Sequence, residues 1–510
     1  MEWLIEAMSL RFEFKQFDGL PRLAWCARLE SGVTTVTVKH GSWVETNQDF
    51  FVEGAWDGQF EEGALDQTLL LMGSGGRLVG NQALFATPCH TLERLQLVRR
   101  GSSLFVSNSL PFVLAEADLT LHPRYSDYQS DLWSIVRGLG RYVKHIPTRN
   151  GPPVRLFYHG NIVIGPDLEI SEQAKVSPPR WNGFAEYRSF LVGALAGLRQ
   201  NATAPQRHVS YDLLSSISSG YDSPAAAALA AEIGCSKAVS FKTGTRYLHD
   251  GSEVEDSGVH IARALGLEVQ EFARAAYLGA NSIAPAEFAA CGDSFDLQLA
   301  AFEGELVQKL FLTGFGGDVF WDRWNNNPNA RIARRLPPSG DSVGEFRLRV
   351  GFVHIPVPFL GAVGHPAIHA ISNSPEMRAW MLDNDYDRPI PRRILEQKAV
   401  PRLLFGQSKK GSFAAVTWSG KHLQSCKSFE DFYQRYRRER NFWRRAWAAV
   451  CYLLSKSRVR WTQTARRLGL PALMPVTTGW DVRPIGQRTY VVAWGSSVLQ
   501  ERYRVACHTN

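Results

Sequence analysis

The chain has 510 residues, 45% hydrophobic and 21% charged, with a formal net charge of +8. That length exceeds what one hydrophobic core serves, so two domains and a small extra piece are expected. The composition excludes a disordered chain, and the modest positive charge suits an enzyme handling anionic substrates without arguing for a nucleic-acid partner. The seven cysteines are scattered and include no C-x-x-C spacing. They indicate neither a disulfide framework nor a zinc site, and a reducing compartment is the simpler reading. The start, Met1-Glu2-Trp3-Leu4-Ile5-Glu6, carries acids where a signal peptide carries lysines. The most apolar run, 446–454, is far too short to span a bilayer, so a soluble, cytoplasmic protein with no membrane span is expected.

Residues 9 to 170 read as short strands with turn punctuation. Segments 10–15 and 33–39 alternate, 95–98 and 104–106 flank a turn containing Gly101, and 156–158 and 162–164 flank the turn Gly160-Asn161. The run Gly73-Ser74-Gly75-Gly76 has no clear helix after it and reads as a turn. A proline-bearing break at 176–182 closes a β-rich domain over 1–176. Residues 184–198 then show helical apolar spacing (Phe184, Tyr187, Phe190, Leu191, Ala194, Leu198), with Asn182 as the expected cap.

Residues 208–217 read as a buried strand. The turn Ser218-Ser219-Gly220-Tyr221-Asp222-Ser223 follows, then an alanine-rich helix with Pro224 near its start and Gly234 at its end. Strand, glycine- and hydroxyl-bearing turn, helix is a geometry that aims backbone N–H groups and a positive helix end at an anion. Ser218, Ser219 and Ser223 add hydroxyl donors, Gly220 lets the backbone approach a phosphate, and Asp222 is suited to the accompanying divalent cation. The Gly-Lys-Ser/Thr ending of a Walker loop is missing.

Further on, 237–242 reads as a second buried strand and 268–272 as a third strand. The acidic run 253–256 is expected to open a helix through 259–265, closed by Gly266. A helical stretch over 295–307 leads into a strand at 309–313 and then Gly314-Phe315-Gly316-Gly317-Asp318. Alternating strands and helices predict a parallel sheet with right-handed crossovers, whose ligands bind at the carboxyl ends of the strands. Both loops fall at such ends.

The first loop resembles the Ser-Gly-Gly-x-Asp-Ser pyrophosphate loop of the PP-loop ATP pyrophosphatases, with Ser219 in place of the first glycine. Thr313 to Asp318 resembles the second signature, Ser-Gly-x-Gly-Ala/Ser/Gly-Asp-Glu, of the asparagine-synthetase branch. Lys410, in Lys410-Gly411-Ser412-Phe413, resembles that family's C-terminal lysine, with Lys409 as the adjacent alternative and a solvated surface pair as the plain reading. The resemblance implies an α/β PP-loop domain over 183–425 that binds ATP and Mg2+. Asp222 and Asp318 would hold the metal, while Ser218, Ser219, Gly220, Ser223, Gly314, Gly316 and Gly317 would line the nucleotide site. Lys410 would serve as a cation beside the developing oxyanion.

Two departures stand out. The variable residue of the second signature, usually Glu or Tyr, is Phe315, which neither donates nor accepts a proton, and the following acid is Val319. A missing general base costs about 10²–10⁴ in rate. The β-rich domain faintly resembles the glutaminase domain of asparagine synthetases, chiefly at 103–114. That class needs a cysteine as the first residue after the initiator methionine. Here Glu2 stands there and the nearest cysteine is Cys26, so a degenerate Ntn-glutaminase-like domain is expected.

Residues 426–510 read as a basic helical extension, with Phe432, Tyr436, Trp443, Trp447, Val450 and Leu454 at helical spacing and arginines between them. The resemblance implies a ligase that adenylates a small-molecule, glycan or peptide carboxylate and passes the acyl group to ammonia or an amine. A peptide macrocyclase and a degenerate ATP-binding scaffold are the alternatives.

Overall fold

The computed structural model describes residues 10–123, 125–247, 253–292, 296–334, 339–408, 410, 426–437 and 487–508. The chain begins with strands β1 (Arg11–Gln16), β2 (Trp25–Glu30), β3 (Thr35–His40), β4 (Glu45–Thr46), β5 (Phe50–Trp56), β6 (Leu71–Val79), β7 (Gln82–Ala86), β8 (Leu95–Arg100) and β9 (Ser103–Ser107). Strands β10 (His145–Ile146), β11 (Val154–Phe157), β12 (Asn161–Ile164) and β13 (Ile170–Gln173) follow. They form a seven-stranded sheet in the order β1-β3-β2-β9-β8-β11-β10 and a six-stranded sheet in the order β13-β12-β7-β6-β5-β4. All pairings are antiparallel except β1 with β3. Alternation turns Trp25, Phe51 and Phe85 to the inner faces. There Trp25 meets Phe51 edge-on at 4.9 Å between ring centroids and stacks on Phe85 at 5.9 Å.

Two expectations for this half are corrected. The run Gly73-Ser74-Gly75-Gly76 is the interior of β6, not a turn. A Cβ on Gly73 would fall 2.0 Å from the Glu53 carbonyl oxygen, so the bare backbone is what lets β5 and β6 close together. Strands β11 and β12, which flank Gly160-Asn161, lie in different sheets, so that turn carries the chain across the sandwich and closes no hairpin.

The second half is built on β14 (Asp212–Ser216), β15 (Lys237–Phe241), β16 (Thr243–Tyr247), β17 (Glu253–Glu255), β18 (Glu268–Phe272), β19 (Lys309–Thr313) and β20 (Val353–Pro356). Five of these form a wholly parallel sheet in the order β18-β15-β14-β19-β20. Both of its faces are covered, as a parallel sheet requires. Ala238, Leu310, Leu312, Val353 and Ile355 pack with the helices Phe184–Ala202 and Asp222–Glu232. Leu214, Val239, Phe241 and Phe311 pack in a separate core with Phe288, Phe302 and Phe346.

Three local readings change here. Glu253–Glu255 opens no helix but pairs as β17 with β16, and the helix is confined to Val259–Ala264. The segment from Leu297 to Leu306 is a 3-10 turn followed by one short α turn. Gly183, not Asn182, is the cap of the helix Phe184–Ala202. Asn182 instead donates its backbone N–H to Glu186 at 2.9 Å, and the Phe184 N–H is taken by Glu376 at 2.7 Å.

The described part of residues 426–510 contains the helices Lys427–Arg437 and Val491–His508, while 438–486 lie outside the described residues. Val491–His508 packs into the molecule, with Trp494, Leu499 and Tyr503 buried. Tyr503 stacks on Phe112 of the helix Leu110–Glu116 at 4.6 Å, and Gly495 lies against the backbone of Ala284–Ala290. The two halves also meet through Arg347, which donates to Glu53 of β5 at 2.7 and 3.0 Å and pairs with Glu93 at 2.8 Å. The molecule is thus mixed α/β, with an antiparallel region, a parallel region and a helix late in the chain. No helix among the described residues is long and apolar enough to cross a membrane.

Candidate active site

The loop after β14 folds on its own hydroxyls. Ser218 Oγ and Ser223 Oγ are 2.8 Å apart, and the Gly220 N–H donates to Ser218 Oγ at 3.3 Å. The helix Asp222–Glu232 starts within the loop with no side-chain cap on its first N–H groups, so its positive end faces the rim. Pro224 is its third residue. Ser219 and Gly220 are absent from the left-handed positions, so the serine in place of glycine carries no backbone strain. Its hydroxyl donates to Asp256 Oδ1 at 2.5 Å, Lys410 Nζ donates to Ser219 Oγ at 3.0 Å, and the Gly406 N–H donates to the Ser219 carbonyl at 2.9 Å. Ser219 therefore ties the loop to two distant segments.

The loop after β19 lies directly against the first. Because β14 and β19 are parallel neighbours in register from Asp212–Lys309 to Ser215–Leu312, their carboxyl ends open on the same rim. A Cβ on Gly314 would sit 2.3 Å from the Ser223 backbone nitrogen. One on Gly317 would sit 2.4 Å from Asp222 Cγ. Gly316 takes φ +85°, a conformation glycine adopts without strain.

Asp222 is paired with a guanidinium. Arg388 donates Nη1 to Asp222 Oδ2. Burial opposes the charge of Arg388, but Asp222, Tyr386 and Asp318 outweigh it and hold the group above the ordinary arginine range. Arg388 and Asp256 are the residues that sequence reasoning missed. Arg388 precedes the proline-started helix Pro389–Gln397, a place where spacing gives no functional signal. Asp256 was absorbed into an expected helix.

Among the described residues no cluster of three or more His, Cys, Asp or Glu side chains forms a metal cage. Two carboxylates on one rim fit a magnesium ion that draws its remaining ligands from phosphate oxygens and water, which is how this ion commonly binds. Asp222 and Asp318 would hold it.

Phe315 is turned into the core. It is 7% exposed and meets His354 edge-on at 5.6 Å. Val319 is buried too. His354 Nε2 lies 2.8 Å from Thr313 Oγ1, and burial, helped by Arg347, pushes its pKa down to about 3, so the imidazole is neutral and a weak base. In the antiparallel half, Cys26 sits inside β2 and burial raises its thiol well above the ordinary range, so it is not a nucleophile. Glu2 lies outside the described residues, as do Lys409 and 411–413. A cavity of about 320 Å³ bounded by Arg22, Glu287, Arg349 and Tyr503 includes neither loop, and its Arg349 is neutralised by Glu287 and Glu303. Neither the known protein families nor the curated proteins contain a match to this chain.

Proposed function

We propose that the protein is an AMP-forming ligase of the asparagine-synthase type. In this reading a carboxylate attacks the α-phosphorus of ATP, pyrophosphate leaves, and the acyl adenylate is passed to ammonia or an amine. The reading is carried by one observation: the loops bearing Asp222 and Asp318 leave adjacent parallel strands and pack on each other, with Gly314 against the Ser223 backbone and Gly317 against the Asp222 carboxylate. Ser218, Ser223 and the start of the helix Asp222–Glu232 would receive the pyrophosphate, and Lys410, bonded to Ser219, would stand beside the carbonyl and phosphate oxygens. Magnesium would offset the charge that builds on the leaving pyrophosphate.

The antiparallel half is read as a glutaminase-like sandwich without its nucleophile, so the amine comes from elsewhere. Phe315 offers no base, and an amine that arrives neutral, including one within the substrate as in macrocyclisation, removes the need for one. The test is pyrophosphate release from Mg·ATP with candidate carboxylates. Release that depends on a carboxylate supports the ligase. ATP binding without pyrophosphate under every carboxylate tried would favour the scaffold alternative.

A further inference from the structure

We propose that Arg388 is a phosphate-binding residue that occupies the magnesium position in the ligand-free protein, so that magnesium enters only together with the nucleotide. Its role rests on the rim being a nucleotide site.

Arg388 is 5% exposed as a residue, and its guanidinium donates to Asp222 Oδ2 and carries the Tyr386 ring against it at 5.2 Å. It is therefore fixed at the mouth of the two loops. Asp222 remains 21% exposed in its side chain, against 6% for Arg388. The aspartate is thus the more exposed member of the pair, although its Oδ1 is turned inward.

Two carboxylates that share a metal in the proposed function would need a cation, and Asp222 already has one from the protein in Arg388. A magnesium ion arriving alone would have to sit between Asp222 and Asp318 with the guanidinium still beside it, and like charges repel. Phosphate oxygens remove that conflict. They accept the guanidinium, whose planar fork matches them, and so free both carboxylates for the metal. Arg388 would exchange one anionic partner for another with little movement.

The test compares wild type, Arg388→Ala and Arg388→Lys by calorimetric binding of inorganic pyrophosphate and ATP in EDTA, and by thermal shift with magnesium chloride alone. Arg388→Ala is expected to lower pyrophosphate affinity in EDTA about tenfold or more, since a charge-assisted fork is lost. The same variant is expected to gain a saturable rise in Tm from magnesium alone, which wild type lacks. Arg388→Lys, which keeps the charge and serves if the alanine variant fails to fold, is expected to bind pyrophosphate several-fold more weakly and to stay insensitive to magnesium alone, because a point charge replaces the fork.

Equal pyrophosphate affinity across the folded proteins, or equal stabilisation by magnesium alone, overturns the assignment. Wild type that binds neither ATP nor pyrophosphate in any condition overturns the nucleotide reading itself, a result distinct from an unaffected Arg388 variant.

Discussion

Two carboxylate–arginine pairs sit in this molecule under different conditions. Glu53–Arg347, at the junction of the antiparallel and parallel halves, is sealed, with side-chain exposures of 0% and 2%. Glu53 Oε1 also accepts from Ser74 at 2.7 Å and Asn108 at 3.2 Å, so four protein donors converge on the carboxylate. Asp222–Arg388, on the rim of the parallel sheet, leaves its carboxylate 21% exposed. The same two groups make a structural joint where every bond is internal, and an exchangeable contact where one partner still faces solvent. Burying a pair without water costs heavily unless all its bonds are made. The junction nearly meets that condition within the protein, Arg347 Nε alone being left without an acceptor, while the rim is suited to meeting it with a ligand.

The comparison can be broken or sharpened, beginning with the largest effect. Asp222→Ala and Asp318→Ala should each abolish pyrophosphate release while the folded state, followed by circular dichroism, is retained. Full activity in either would remove the metal assignment. Arg347→Ala should cost about 3–5 kcal/mol in chemical denaturation, because two carboxylates are left buried without their cation. A loss below about 1 kcal/mol would show that the junction is no more structural than the rim. Gly314→Ala should cost about 2 kcal/mol, since its methyl meets the Ser223 backbone. Gly220→Ala should leave stability unchanged within about 0.5 kcal/mol, because the added carbon meets nothing nearer than the Tyr386 hydroxyl at 3.4 Å. Its pyrophosphate affinity should nonetheless fall, as the methyl blocks backbone approach by a phosphate.

A further effect concerns acid. The folded pKa of His354 is depressed to about 3, so its contribution is fully present above the unfolded value near 6.5 and is lost as pH falls from there toward 3. His354→Asn should therefore flatten the decline of Tm between pH 6.5 and 4. An unchanged slope would assign that decline to other buried groups.

Much of the parallel sheet is legible in the sequence, because each buried strand is a short apolar run followed by a glycine-bearing turn and a helical spacing. Strand β20 is the exception. His354 and Pro356 interrupt its apolar pattern, yet it lies at the sheet edge, where proline is tolerated. The site divides in the same way. Asp222, Asp318 and their glycines lie in compact turns readable by spacing alone. Arg388 reaches them across 166 residues, and no local pattern encodes so long a return. Phe315 was legible as a missing base, but its packing on His354 depends on β20 and was not.

The helix Val491–His508 also sets an order on biosynthesis. Gln500 donates to the Leu119 carbonyl at 2.5 Å across 381 residues of chain, and Tyr503 completes the packing around Phe112. The early sandwich must therefore wait, with its outer helix uncovered, through the translation of the whole parallel sheet. Contacts so remote in sequence form slowly, and an apolar face left open meanwhile invites capture by chaperones or by other nascent chains.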